Sequence, residues 1–122
     1  MSRYNMKNWL SGMLTDSKKK ALPILSFPAV QLLGINVSEL ISDSDVQAKG
    51  MKLVAERVNS AAAVSLMDLS VEAECFGANV KFSESEVPTI VGRLVTTEEE
   101  ADALEVPSVG AARSGLYVDA IK

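Results

Sequence analysis

Three acids and one cysteine lie within eight positions of one another, at the end of a short apolar run. The run is Ala61–Met67, and Asp68, Glu72, Glu74 and Cys75 follow it before Gly77. A carboxylate at the end of a buried segment can stabilise a developing cation or orient a polar substrate. The same residue at a strand-to-helix junction also serves as a helix N-cap, and the two roles are compatible. Glu72 and Glu74 are two positions apart and do not share a helix face. Glu72 is therefore the candidate for a site and Glu74 belongs to a solvated face. Cys75 reads as a small buried apolar residue, because no base is present to activate it. Arg93, after Gly92, is a candidate anion ligand, and Gln31 is a polar candidate by position alone.

The absence of histidine restricts the chemistry further. None occurs in the 122 residues. That removes the commonest general base, the Ser-His and Cys-His nucleophiles and the commonest metal ligand. A single cysteine excludes an intrachain disulfide, in keeping with a reducing compartment. The net charge of −4 and pI near 4.8 argue against binding along a phosphate backbone, so no nucleic-acid partner is expected. The basic run Lys18–Lys20 reads as a solvated helix C-terminus. No apolar run approaches the ~20 residues of a membrane span. The first residues lack the apolar stretch and cleavage site of a signal peptide. The expected address is the cytoplasm, with no membrane partner.

The elements that must position these residues follow from periodicity. Met6, Trp9, Leu10, Met13 and Leu14 form one helical stripe and predict a helix over 5–17. Residues 23–27, PILSF, predict a buried strand ended by Pro28. Residues 29–34 predict a helical turn with Gly34 as C-cap, and 37–41 a second helical piece. Asp43, Ser44 and Asp45 are N-cap candidates for a helix over 45–59, with Val46, Met51, Val54, Ala55 and Val58 on its apolar side. The run 61–67 predicts a second buried, parallel-type strand. Residues 72–76 read as a helical turn, 79–82 and 89–91 as short extended pieces, and 83–88 as a loop. Thr96–Glu100 offers a capping box for a helix reaching Leu104. A loop over 106–115 precedes a final helix from Leu116. The order helix, strand, helix, strand predicts a parallel pair with a right-handed crossover. In such folds the site lies at the C-terminal ends of the strands, where Asp68 stands. An apolar fraction of 48% and a mean hydropathy of +0.16 suit an α/β fold.

At DLSVEAECFGANVKF the chain resembles the uroporphyrinogen decarboxylase superfamily. The shared pattern is an apolar strand (63–67), the acid Asp68, a short helical segment (71–76) and Gly77 nine positions after the acid. Pro88 before a short extended piece and the segment TTEEEADAL also resemble that superfamily. The resemblance runs from about Lys7 onward. It implies the N-terminal part of a (β/α)8 TIM barrel, with parallel strands and an N-terminal helix. A barrel of this kind needs ~250 residues, so the expectation is an incomplete domain that is inactive alone.

Two branches are compared. Decarboxylases hold the substrate carboxylates with an arginine-rich stretch after the first strand. The matching stretch here, PILSFPAVQLLG, has no arginine. A many-fold anionic tetrapyrrole without Arg or Lys forks is a poor physical match. The VEAE segment is more similar to the corrinoid-dependent methyltransferases, which move a methyl group from a methylated corrinoid protein to coenzyme M or a folate. The resemblance implies Asp68 as the catalytic acid, and a zinc ion and a corrinoid protein partner for the full-length enzyme. The zinc ligands are expected in a later half, and no metal is assigned to this chain. A decarboxylase of porphyrin biosynthesis is the alternative. A third reading is a non-catalytic α/β domain that associates with itself through an exposed barrel edge.

Overall fold

The computed structural model describes residues 4–122. Its helices are α1 (Met6–Thr15), α2 (Ala29–Leu33), α3 (Val37–Ser42), α4 (Ser44–Arg57), α5 (Ser70–Cys75), α6 (Glu98–Asp102) and α7 (Ser114–Ile121). Two strands, β1 (Asn79–Lys81) and β2 (Thr89–Val91), pair antiparallel with Val80 opposite Ile90.

Helix α4 is the central element. Asp43 supplies its N-cap by accepting from the Val46 N–H at 2.9 Å. Its buried stripe is Gln47, Gly50, Met51 and Val54, a spacing of i, i+3, i+4 and i+7. Of the expected apolar side, Met51 and Val54 are buried and Val46 packs on the core. Val58 is exposed, whereas Gln47 and Gly50 face inward. Glycine inside a helix costs about 1 kcal/mol relative to alanine. Gly50 is needed because a Cβ there would stand 2.8 Å from the Ala29 Cβ. The missing side chain lets α2 lie directly on α4. Around this contact Ala29, Val37, Leu40, Ile41, Val54 and Leu66 form one apolar cluster, with Phe27, Ile35 and Tyr117 packed on it.

The two expected parallel strands are the main correction. Among the described residues, neither 23–27 nor 61–67 is a hydrogen-bonded strand. The segments do run side by side in the same direction. The Ala61 N–H donates to the Ala21 carbonyl at 2.9 Å, and Ser26 Oγ donates to the Ser65 carbonyl at 3.2 Å. Parallel pairing is less stable per residue and occurs where both faces of the sheet are covered. Here only one face is covered. Val64 and Leu66 turn inward while Ala63, Ser65 and Met67 are exposed. The run is extended with a period of two, not buried on both sides as expected. The regular sheet is the hairpin β1–β2.

Other elements keep their places with adjusted ends. Asn5 caps α1 by accepting from the Asn8 N–H at 3.2 Å. Gly34 ends α2 with φ 67°, a conformation in which a Cβ is strained. Asn36 and Glu39 form a reciprocal capping box on α3, and Thr97 and Glu100 form the expected one on α6. Helix α6 ends two residues earlier than expected, at Asp102, and α7 starts two residues earlier, at Ser114.

Candidate functional site

Asp68 stands where the extended run 61–67 turns into α5, and its side chain is only 2% exposed. Both carboxylate oxygens are fully engaged. Oδ1 accepts from the Ser70 backbone N–H at 2.9 Å and from Ser70 Oγ at 2.6 Å. Oδ2 accepts from Arg113 Nη1 at 2.6 Å and from the Tyr117 hydroxyl at 2.9 Å. The Ser70 N–H belongs to the first residue of α5, whose N-cap position is Leu69 with no side-chain cap bond, so Asp68 braces the helix start from one residue earlier and is not the N-cap itself. Each carboxylate oxygen has two acceptor sites, and all four partners are protein groups.

Arg113 is the hub of this cluster. Its Nε donates to Glu74 Oε2 at 2.7 Å and its Nη2 to Ser70 Oγ at 2.8 Å. Phe82 lies under the guanidinium, 4.9 Å from Cζ to the ring centroid, which adds a cation–π contact. Planar, forked donors suit this division among several acceptors. The residue before it, Ala112, has φ 46°, a left-handed conformation costing alanine roughly 1–2 kcal/mol. That backbone turn directs Arg113 at the start of α7.

The cluster sets its own protonation. Burial pushes the Asp68 carboxyl up, but hydrogen bonds from Ser70, Arg113 and Tyr117 outweigh it and hold the group below its ordinary value. Burial and the bond to Asp68 push the Tyr117 phenol far above its ordinary value. For Arg113, burial disfavours the charge, yet the bonds to Asp68 and Glu74 prevail and raise its pKa. Asp68 is therefore a fixed anion. It supplies negative charge and position, and taking up a proton would weaken its bonds to donors.

A cleft of about 430 Å³ opens beside the cluster. Val64, Leu66, Met67, Val71, Val118 and Ile121 give it apolar walls. Among the described residues, its charged lining residues are Asp68 and Glu72, both acids, and Tyr117 and the Cys75 thiol also face it. The structure thus brings Asp68 and Glu72 together. Gln31, exposed on α2, and Arg93, exposed after β2, are not among the lining residues. Glu74 is half-buried and paired with Arg113, not on a solvated face. Cys75 donates to the Ala111 carbonyl at 3.2 Å.

Sequence reasoning missed Arg113 and Tyr117. The available signal was their i, i+4 spacing, together with a lone arginine in the otherwise uncharged loop VPSVGAARSG. Among the described residues no group of three or more His, Cys, Asp or Glu side chains is placed to hold a metal ion. The zinc that the resemblance implies has its expected ligands in a later half, outside this chain. No described helix is long and apolar enough to cross a membrane.

The family comparison agrees with this region of the chain. The family model for uroporphyrinogen decarboxylase (URO-D) matches residues 24–122, and the chain belongs to that family. The match begins at residue 24 and not near Lys7, so α1 lies outside it. No curated protein and no solved structure gives a significant match.

Proposed function

We propose that this chain is the N-terminal part of a corrinoid-dependent methyltransferase within the URO-D family, moving a methyl group from a methylated corrinoid protein to coenzyme M or a folate. The family membership alone serves uroporphyrinogen decarboxylation equally well. What favours methyl transfer is the charge of the cleft. Among the described residues, no Lys or Arg lines it. Arg113 commits its donors to Asp68, Glu74, Ser70 and Tyr117. A porphyrinogen carrying many carboxylates needs free cationic forks, and two acids would repel it. An apolar pocket beside a fixed carboxylate suits a neutral methyl group and the positive charge that develops as it leaves its donor.

In this reading the methylated corrinoid supplies the methyl group and belongs to the partner protein. The walls formed by Val64, Leu66, Val71 and Ile121 keep water from the transferring group. Asp68 holds negative charge at the cleft end, and Glu72, free of the ion-pair cluster, is the carboxylate open to the substrate. The extended segments 23–27 and 61–67 are the first two strands of the barrel. Further strands of a (β/α)8 barrel pair with their backbone edges in the plane of the sheet, and the rest of the barrel covers the exposed side of Ala63, Ser65 and Met67.

The test is an assay of the protein from the complete reading frame that carries this chain. It is given methylcob(III)alamin, coenzyme M or tetrahydrofolate, and zinc, and the loss of the methylcobalamin absorbance is followed. Demethylation that depends on one acceptor is the expected result, with Glu72→Gln slowing it. Release of carbon dioxide from uroporphyrinogen without demethylation would sink the proposal in favour of the decarboxylase.

A further inference from the structure

Glu74 is the acid of the buried cluster that does not line the cleft, and its partner Arg113 does not line it either. Its side chain is nevertheless only 23% exposed. Its Oε2 accepts from Arg113 Nε at 2.7 Å. A guanidinium beside a carboxylate often closes a two-point fork on it. Arg113 does not. It gives Asp68 one bond, from Nη1 to Oδ2 at 2.6 Å, and turns Nε to Glu74 and Nη2 to Ser70 Oγ. The Phe82 ring, 4.9 Å from Cζ, and the left-handed backbone at Ala112 hold the fork in that division.

The division sets the charge that the cleft feels. Asp68 and Arg113 alone would form a neutral pair, and the cleft beside them would feel only the weaker field of a dipole. With Glu74, two carboxylates share one guanidinium, and the cluster keeps one net negative charge. Asp68 is the member of the cluster on the cleft wall. Its Oδ2 also accepts from the hydroxyl of Tyr117, a second wall residue. Asp68 and Arg113 are almost dry, so water screens this charge little and it acts over several ångströms. Stability is a weak reason for the second acid, because each carboxylate drawn from water adds a desolvation cost.

We infer that Glu74 is a positioning residue for the reaction: it offsets the charge of Arg113, so that Asp68, while held by that arginine, leaves the end of the cleft net negative. The inference rests on the part given above to Asp68, negative charge beside the reacting group. It does not depend on which of the two reactions the family member performs, since a positive charge developing in either would meet the same field.

The experiment uses the protein from the complete reading frame, assayed both for demethylation of methylcobalamin and for release of carbon dioxide from uroporphyrinogen. Glu74→Gln keeps an acceptor oxygen for Arg113 Nε and removes one charge. It should lower kcat about tenfold, the effect of one poorly screened unit charge, with KM unchanged. Glu74→Asp keeps the charge on a shorter stem and should restore most of kcat. A role in hydrogen bonding alone reverses that order, with Glu74→Gln close to wild type and Glu74→Asp slow. Asp68→Asn should be slower than either. Circular dichroism and thermal unfolding confirm that each variant is folded. Wild-type kcat in Glu74→Gln, a change in KM alone, or the reversed order would overturn the inference. So would an Asp68→Asn enzyme as fast as wild type. Turnover of uroporphyrinogen alone, slowed in the same way by Glu74→Gln, would overturn the methyltransferase reading and uphold this inference. Turnover of neither substrate would overturn both.

Discussion

Arg113 Nη1 and Asp68 Oδ2 stand 2.6 Å apart across 45 positions of sequence. The contact joins the start of α7 to the end of the extended run before α5. It is nearly dry, with the two side chains 11% and 2% exposed. Charges removed from water on this scale are tolerated only when each is fully partnered, as both are here.

Removing Arg113 should therefore be costly. Arg113→Met leaves Asp68 and Glu74 buried without a counterion, and a loss of about 3 kcal/mol or more in unfolding free energy is expected. Urea denaturation measures it. Arg113→Lys should recover only part, because one ammonium cannot serve Glu74, Asp68 and Ser70 in the geometry of a fork.

The acid limb of the stability profile should carry the mark of Asp68. Its folded carboxyl titrates below the ordinary 3.8. Above that pH the unfolded and folded carboxyls are both charged, and the bonded anion contributes its full stability. As pH falls below 3.8 the unfolded state takes up the proton first, and the contribution is lost through the folded value. The stability gap between the wild type and Asp68→Asn should narrow over that range. A gap constant from neutral pH down to pH about 2 would contradict the assignment.

Tyr117 should act at the other end of the scale. Its phenol is raised above the ordinary 10.0, so its contribution is complete below that pH and is lost as pH rises beyond it. Phenolate absorbance should show one tyrosine resisting ionisation until the chain unfolds. Tyr117→Phe should remove that signal and cost about 1 kcal/mol at neutral pH for the hydrogen bond to Asp68.

Gly50→Ala should destabilise although alanine is the better helix former. The added Cβ meets Ala29 at 2.8 Å, and separating α2 from α4 costs about 1–3 kcal/mol, more than the ~1 kcal/mol gained in propensity. Ala29→Gly in the same chain should recover part of the loss by reopening the contact. Thermal unfolding of the three variants decides it.

Asp43→Ala should cost about 1 kcal/mol through loss of the α4 cap. Thr97→Ala on exposed α6 should cost global stability less, because α6 buries no side chain. Chemical denaturation compares the two.

Local sequence determined the parts of this protein that depend on neighbours along the chain. The cap at Asp43, the capping box of Thr97 and Glu100, the stop at Gly34 and the acid at the end of the apolar run were legible, since each is a bond or a backbone angle within a few residues. The family motif around Asp68 and Gly77 was legible for the same reason. Tertiary structure decided the rest. It chose Gln47 and Gly50 for the buried stripe of α4, because α2 approaches closely there. It left 61–67 extended beside 21–26 without a regular ladder, because only one of its faces is covered. It also turned Glu74 from a surface acid into a partner of Arg113. An ion pair spanning about 40 residues leaves no periodic trace in sequence, since its loop closure is set by packing and not by spacing.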